Sequence, residues 1–199
     1  MRVVILRHGT TELNKQGMIQ GSNVDSDLSK EGRAYAEKAA KNFDPSQFDA
    51  VYASPLKRAL QTARIFVGDK TPITTDKRIE ELNYGSWDGK SSLEYRKKHP
   101  DAFNSNGLIN DNIYKYASDV EKREDFRKRI AAFFDDLYKE HANDTVLVVC
   151  HGVVSRMICA HFLTNGDIKY FDQMQNCGLA ELDINKEYGT LVYYNRVLA

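Results

Sequence analysis

Short runs of apolar and β-branched residues alternate along the chain with longer segments whose apolar positions recur every three or four residues. The short runs predict strands and the longer segments predict helices, because side chains alternate along a strand and recur about every 3.6 residues on one helix face. Strands are predicted near residues 2–7, 49–53, 72–75, 144–150, 178–184 and 189–195. Helices are predicted near residues 29–42, 55–67, 91–99, 118–141 and 152–164. This alternation favours an α/β fold with a largely parallel central sheet.

The first predicted strand ends in the triplet Arg7-His8-Gly9, directly after the apolar run Val3-Val4-Ile5. In open α/β sheets, ligands bind at the carboxyl ends of the strands. Arginine offers a planar fork of donors to an anion, imidazole can be a nucleophile at neutral pH, and glycine lets the backbone come close to a ligand. A polar strand end without function explains one such triplet about equally well, so the other segments of the chain decide between the two interpretations.

A second segment of the same design is the strand that runs into Ser54-Pro55. Ser54 is a good helix N-cap, and Pro55 fits the first helical position, where its missing N–H costs nothing. Arg58 then lies about one turn into the helix, near the positive end that suits an anion. We therefore expect Arg58 at a site for a negatively charged ligand.

Two further segments complete the pattern. A β-rich run ends in His151-Gly152, so His151 repeats the position of His8 at a strand end. A loop punctuated by glycines follows Glu80 and Glu81 and continues through Asn83-Tyr84-Gly85-Ser86-Trp87-Asp88-Gly89. Arginines and histidines are thus predicted near strand ends, and a separate loop carries two carboxylates.

These four segments resemble the histidine phosphatase superfamily, which has the phosphoglycerate-mutase-like fold. Its hallmarks are an RHG triplet, an SPLxRAxQTA helix start, a Glu shortly before a Gly-x-Trp-x-Gly loop and a late HG, and all occur here in that order. The resemblance extends from Met1 to about Asn195. It implies a three-layer α/β/α sandwich with a mostly parallel central sheet and one antiparallel edge strand, which fits the hairpin-like segment from Leu182 to Tyr194.

The resemblance also implies a role for each motif. His8 is the expected nucleophile that becomes a phosphohistidine, and Glu81 is the expected proton donor, with Glu80 as the rival one residue away. The phosphoryl group is expected to be bound by Arg7, Arg58 and His151. Three more residues match positions that touch the phosphate, frame the pocket or offer a backbone N–H at a helix start: Asn14, Gln20 and Gly152. A local bond to the neighbouring backbone explains the polar loop residues about equally well.

The chemistry can also be argued from the residue types. A phosphate monoester is nearly dianionic, and its transition state spreads charge over three equatorial oxygens. Two arginines and a second histidine would stabilise that charge, and they would disfavour protonation of His8. The leaving alkoxide needs a proton that a carboxylic acid can supply, typically worth about 10²- to 10⁴-fold in rate. Because the arginines neutralise the charge, we expect no metal and no other cofactor.

Length and composition lead to expectations about the number of domains, the partners and the location of the protein. Its 199 residues are most simply one domain, spanning 1–199. The 28 basic and 28 acidic residues balance, so neither nucleic acid nor an anionic membrane is an expected partner. No apolar run is long enough for a membrane span, and the N-terminus enters the first strand without a signal peptide, so a cytoplasmic location is expected.

The cysteines and the remaining histidines are expected to have structural roles. The cysteines are odd in number and predict reduced thiols rather than a disulfide framework. Cys150 beside His151 could suggest a thiol nucleophile, but strand alternation turns its side chain away, so core packing is favoured. We expect His99 to be exposed, His141 to end a helix and His161 to lie within one, and their spacing builds no metal site.

The region at about 90–118 is irregular and rich in polar residues, and in the family it forms a variable cap over the pocket. Six of its residues could contact an anionic or sugar-like substrate, although a solvated charged face is the more common use of such a run: Arg96, Lys97, Lys98, Tyr114, Lys115 and Tyr116. In the helix that follows, the apolar spacing predicts core packing, and Glu121 near its start is a second candidate acid.

Three functional interpretations follow from the resemblance. The first is a metal-independent phosphomonoesterase that acts on small phosphorylated metabolites. The second is a cofactor-dependent phosphoglycerate mutase primed by 2,3-bisphosphoglycerate, but a chain with four prolines lacks the proline-rich insert of those mutases. The third is an inactive regulatory or scaffold homologue, which the complete set of site residues argues against. The phosphatase is favoured, while the substrate and the oligomeric state are left open.

Overall fold

A six-stranded sheet forms the centre of the structure, a computed structural model that describes residues 1–199. The strands are β1 (Arg2–Arg7), β2 (Ala50–Ala53), β3 (Thr74–Thr75), β4 (Thr145–Cys150), β5 (Leu179–Ile184) and β6 (Gly189–Arg196). Their order in the sheet is β3-β2-β4-β1-β5-β6. Six strands were predicted, and all six are present at the predicted places.

Strand directions make this a mostly parallel sheet. Strands β3, β2, β4 and β1 pair in parallel, whereas β5 is antiparallel to β1 and β6 is antiparallel to β5. The reversed strand is therefore β5, which lies one position inside the edge strand β6. The closing hairpin supplies both strands, because a short turn can join only antiparallel neighbours.

The structure has six α-helices: α1 (Glu12–Lys15), α2 (Lys30–Ala40), α3 (Lys57–Val67), α4 (Ser92–Lys98), α5 (Arg123–His141) and α6 (Gly152–Leu163). Alternation along β1 sends Val3 and Ile5 into the core shared with α5 and α6. Val4 and Leu6 point into the opposite core, shared with α2 and α3. The predicted three-layer α/β/α sandwich is confirmed.

Two helix starts differ from their predictions. The helix expected from residue 118 begins at Arg123, after a non-helical approach in which Asp119 has a positive φ of 59°. The helix expected from residue 55 begins at Lys57, and its N-cap is Leu56 rather than Ser54. The hydroxyl of Ser54 instead accepts from the backbone N–H of Leu56 at 3.3 Å and forms a 2.7 Å hydrogen bond with Nε2 of His151.

The three cysteines and His99 of the cap lie in packed surroundings. All three cysteines are free and buried, as expected for thiols that pack in a core. The prediction that His99 is exposed was wrong: it is partly buried and stacks between Tyr116 and Trp87, with ring centroids 4.2 and 5.7 Å away. No helix is both long and apolar enough to cross a membrane.

The packing of α5 generates a prediction about stability. Phe133 is 1% exposed, and its ring lies 5.7 Å from that of Tyr52 and 5.2 Å from that of Phe134. Phe133→Ala should lower the free energy of unfolding by about 3–5 kcal/mol, because it removes buried contacts and leaves a cavity. Urea unfolding measures the loss. Lys128→Ala, at a side chain 68% exposed on the same helix, is the control and should change stability by less than about 0.5 kcal/mol; equal effects would contradict this packing.

Candidate active site

The pairing of β1 with β4 brings the two strand-end histidines together. Arg7 at the end of β1 is in register with Cys150 at the end of β4, so the next residue of each strand is a histidine. The rings of His8 and His151 lie 5.2 Å apart, centroid to centroid. The predicted meeting of the two histidine motifs at the carboxyl edge of the sheet is what the structure shows.

His8 is held in one tautomer. Its Nδ1 lies 2.7 Å from the carbonyl oxygen of Gly9, which can only accept, so Nδ1 carries the proton and Nε2 keeps its lone pair. The side chain is buried, with 3% of the residue exposed. Burial first, and then the charges of Arg58 and Arg7, lower the pKa of His8 well below its ordinary value. His8 is therefore a neutral imidazole with a free ring nitrogen.

His151 occupies the N-cap position of α6 and is fully buried. Its Nε2 is bonded to the hydroxyl of Ser54, while its Nδ1 has no partner in the protein. Burial and the nearby charge of Arg58 lower the pKa of His151 well below its ordinary value. A second neutral imidazole thus lies beside the first, with one unsatisfied nitrogen.

Two arginines, the buried Arg58 and the partly buried Arg7, surround His8 without any carboxylate partner. Arg7 donates to the carbonyl of Met174, and Arg58 donates to the carbonyls of Val24 and Gly21 at 2.6 and 3.2 Å. The Nε of each arginine has no partner, and neither side chain forms an ion pair. Burial lowers the pKa of both. Because an uncompensated buried charge is costly, this arrangement is suited to an anionic ligand.

Glu81 is the carboxylate that faces the site. It is 5% exposed, and its two oxygens accept hydrogen bonds from the backbone N–H of Leu82 at 2.9 Å and of Val153 at 3.1 Å. The second bond ties the carboxylate to the first turn of α6, directly after His151. Glu81 lines the same cavity as His8.

The two rival carboxylates lie elsewhere. Burial raises the pKa of Glu80, but this residue does not line the cavity. Glu121 also lies outside the cavity wall, and its oxygens are bonded to the guanidinium of Arg129 at 2.6 and 3.0 Å. Geometry therefore favours Glu81 over both, since an acid must reach the group that it protonates.

The cavity above His8 has a volume of about 210 Å³. Five of the eight predicted site residues line it: Arg7, His8, Asn14, Gln20 and Glu81. Asn14 also caps α1, and Gln20 has an unpartnered Nε2 while its oxygen accepts from Thr11 and Ser26. The remaining three, Arg58, His151 and Gly152, are buried and do not line it, and a Cβ on Gly152 would approach Nε2 of Gln173 to 2.0 Å.

Several lining residues were missed by the sequence argument. Tyr84, Arg156 and Gln173 line the cavity, and the cap contributes Gly107, Leu108 and Ile109. None of the six cap residues that could have contacted substrate lines it; Lys115 and Tyr116, for example, both contact Asp101. The position of Arg156, four residues after Gly152 on α6, was the signal that could have found it, because such residues share a helix face.

No group of three or more His, Cys, Asp or Glu side chains in the structure is placed to hold a metal ion. A larger groove, of about 680 Å³, lies between α5, α6 and the turn that joins β5 to β6. None of the predicted site residues lines that groove, so the smaller cavity above His8 is the candidate active site.

Known proteins are similar to this chain in sequence and in fold. The family model of the histidine phosphatase superfamily (branch 1) matches residues 3–197. Phosphoserine phosphatase 1 of Hydrogenobacter thermophilus is 31% identical over 162 residues, which cover 80% of this chain and 75% of that protein. The adenosylcobalamin/alpha-ribazole phosphatase of Escherichia coli is 26% identical over 197 residues, covering 98% of this chain and 96% of that protein.

A solved structure extends the likeness to three dimensions. The crystal structure of a mutant phosphoserine phosphatase from Entamoeba histolytica, in complex with phosphoserine, matches with a TM-score of 0.75 at 26% identity. The match covers 98% of this chain and 96% of that chain. The chain belongs to the histidine phosphatase superfamily, and it is an enzyme of phosphoryl transfer with a phosphatase role.

The buried neutral histidines generate a prediction about acid stability. In the unfolded chain, histidine takes up a proton as the pH falls through about 6.5, whereas the lowered pKa of His8 and His151 keeps the folded state neutral. The unfolded state therefore binds more protons, and stability that is present above about pH 6.5 is lost as the pH falls. Each histidine should contribute a slope of up to about 1.4 kcal/mol per pH unit.

Urea unfolding of wild type and His8→Gln between pH 8 and pH 5, in phosphate-free buffer, measures this slope. The offset between the two curves at pH 8 reports packing, and the difference in slope reports titration. The variant should lose stability less steeply below about pH 6.5. Parallel curves would show that His8 titrates alike in both states and would contradict the assignment.

Proposed function

We propose that the protein is a phosphomonoesterase that needs no metal and acts on small phosphorylated metabolites through a phosphohistidine on His8. The observation that carries this proposal is a neutral, tautomerically fixed imidazole beside two arginines, one buried and one partly buried, that have no carboxylate partner. A dianionic phosphoryl group is the ligand whose charge and size match that arrangement. The proposal rests on this geometry and on the phosphatase names of the relatives.

In the first step, the lone pair on Nε2 of His8 attacks phosphorus while the bond to the ester oxygen breaks. Arg7, Arg58 and His151 stabilise the charge on the equatorial oxygens, with Asn14, Gln20 and the Gly152 backbone completing the phosphate pocket. Glu81, as the carboxylic acid, gives its proton to the departing alkoxide. In the second step, Glu81 takes a proton from water, which attacks the phosphohistidine and releases phosphate.

The size of the cavity supports a small substrate. Its volume of about 210 Å³ is below the roughly 300–1,000 Å³ of pockets for drug-sized ligands. Phosphoserine, named for two of the matched proteins, is of this size, whereas alpha-ribazole phosphate is larger. Hydrolysis is favoured over the mutase reaction, because these proteins are named as phosphatases and transfer to water needs no bisphosphoglycerate primer.

The first functional prediction concerns metal dependence. Hydrolysis of an aryl phosphate should continue in excess chelator at close to its full rate, because the arginines supply the charge neutralisation. Phosphate release measured with and without chelator tests this, and His8→Ala, which lacks the proposed nucleophile, sets the background. Loss of most activity in chelator, with recovery on adding magnesium, would contradict the proposal.

A second prediction separates the two neighbouring carboxylates. Poor leaving groups need protonation and good ones do not, so Glu81→Gln should slow alkyl phosphates by about 10²-fold or more and an aryl phosphate much less. Glu80→Gln is the matched control and should affect both substrates little, since Glu80 does not line the cavity. The ratio of the two losses is the measurement, because a folding defect lowers both rates equally. An alkyl-specific loss in Glu80→Gln would transfer the acid role to Glu80.

A further inference from the structure

A third buried arginine lines the cavity and has no part in the proposed phosphoryl chemistry. Arg156 lies on α6 and is 4% exposed. Its Nε donates to the carbonyl of Phe171 at 2.8 Å, and its Nη2 donates to the carbonyl of Ile168 at 3.1 Å. These two bonds fix the plane of the guanidinium and leave Nη1 without a partner in the protein.

The charge of Arg156 is not balanced by any acidic side chain. None of the ion pairs in the structure includes it, although the less buried arginines Arg2 and Arg123 do have carboxylate partners. Burial lowers the pKa of Arg156, and the residue is nonetheless a permanent cation at ordinary pH. A cation that is buried, unpaired and in the wall of a cavity is suited to an anion that enters the cavity.

Two polar side chains share this part of the wall. Tyr84 is 9% exposed and Gln173 lies against Gly152, and both line the cavity with Arg156. The Oε1 of Gln173 is buried without a partner. Tyr84 and Gln173 can each donate one hydrogen bond to an oxygen, in addition to the bond from Nη1. The cap residues Leu108 and Ile109 supply the apolar part of the wall.

The cavity thus holds donors for two anionic groups. Arg7 and Arg58 surround His8, where the phosphoryl group reacts, and Arg156 is left for a second group on the same substrate. A single free guanidinium nitrogen with one or two neutral donors suits a carboxylate, which has two oxygens, better than a second phosphate, which has three to satisfy. The small cavity allows only a short carbon skeleton between the two groups.

We propose that Arg156, with Tyr84 and Gln173, binds a substrate carboxylate, so that the preferred substrates are phosphate monoesters of small carboxylic acids. This inference rests on the proposed phosphatase function and names its substrate class. We expect the protein to prefer phosphorylated hydroxy acids and amino acids over otherwise similar phosphorylated alcohols and amines.

The test compares substrates that differ at the carboxylate alone. Phosphoserine and phosphoethanolamine form one such pair, and 3-phosphoglycerate and glycerol 3-phosphate form a second. The wild-type protein should hydrolyse the acid of each pair with a kcat/KM at least about 10-fold above that of its partner, the typical worth of a charge-assisted hydrogen bond. Arg156→Gln should reduce this ratio about 10- to 100-fold.

Arg64→Gln is the matched control. Arg64 also holds a loop through main-chain carbonyls, with a bond to Thr71 at 2.7 Å, but it lies outside the cavity. Its loss should leave the acid-to-partner ratio unchanged. Arg156→Lys, which keeps the charge without the planar fork, should give an intermediate ratio, and it provides a second variant if Arg156→Gln does not fold.

The outcomes separate this inference from the function on which it rests. Absence of His8-dependent hydrolysis with every phosphate ester would contradict the phosphatase itself. Normal hydrolysis of aryl phosphate, with no preference for the acids in the wild type, would overturn the carboxylate subsite alone. Equal losses on both members of a pair in the Arg156 variants would also overturn it, by showing that Arg156 supports the loop or the phosphoryl group.

Discussion

The parallel pairing of β1 with β4 is the constraint on which the site depends. Its register places Arg7 opposite Cys150, and the residue after each is a histidine. Backbone hydrogen bonds along both strands fix these ends, so neither imidazole needs a flexible loop to bring it into position. Helix α6 begins directly after His151 and presents Val153 to the Glu81 carboxylate. One ladder therefore sets the relative positions of the nucleophile, its partner histidine and the acid.

The positive charges beside this pair of strands are not balanced by carboxylates, and this imbalance suits the site to an anion. Arg58 and Arg156 are buried and Arg7 is partly buried, and all three donate to backbone carbonyls and have no carboxylate partner. Carbonyl groups hold the guanidinium planes without cancelling their charge, so the field remains available to a bound anion. Burial, together with the same field, keeps His8 neutral and therefore nucleophilic. The unbalanced positive charge costs stability at the site where a bound anionic substrate can offset that cost.

The sequence predicted the sheet, the three layers and the meeting of Arg7, His8, Glu81 and His151, because strand periodicity and short motifs are local signals. It misplaced Ser54, since no local rule shows that the helix begins only at Lys57 or that this hydroxyl is also bonded to a histidine 97 positions away. The basic residues of the cap, which it offered as possible substrate contacts, do not line the cavity, whereas Leu108, Ile109 and the buried Arg156 do. Which side chains face a pocket depends on tertiary packing around an irregular segment, and charge runs carry little information about it.

The central claim is that His8 forms a covalent bond to phosphorus, and locating the phosphoryl group tests it most directly. Wild-type protein is quenched during rapid turnover of a phosphate monoester, digested at alkaline pH and mapped by mass spectrometry, with phosphorus NMR used to identify the bonded atom. The account predicts an acid-labile phosphoryl group on Nε2 of His8, because Nδ1 is engaged with the carbonyl of Gly9. A phosphoryl group on Ser54, Cys150 or His151, or none at any time during turnover, would contradict it.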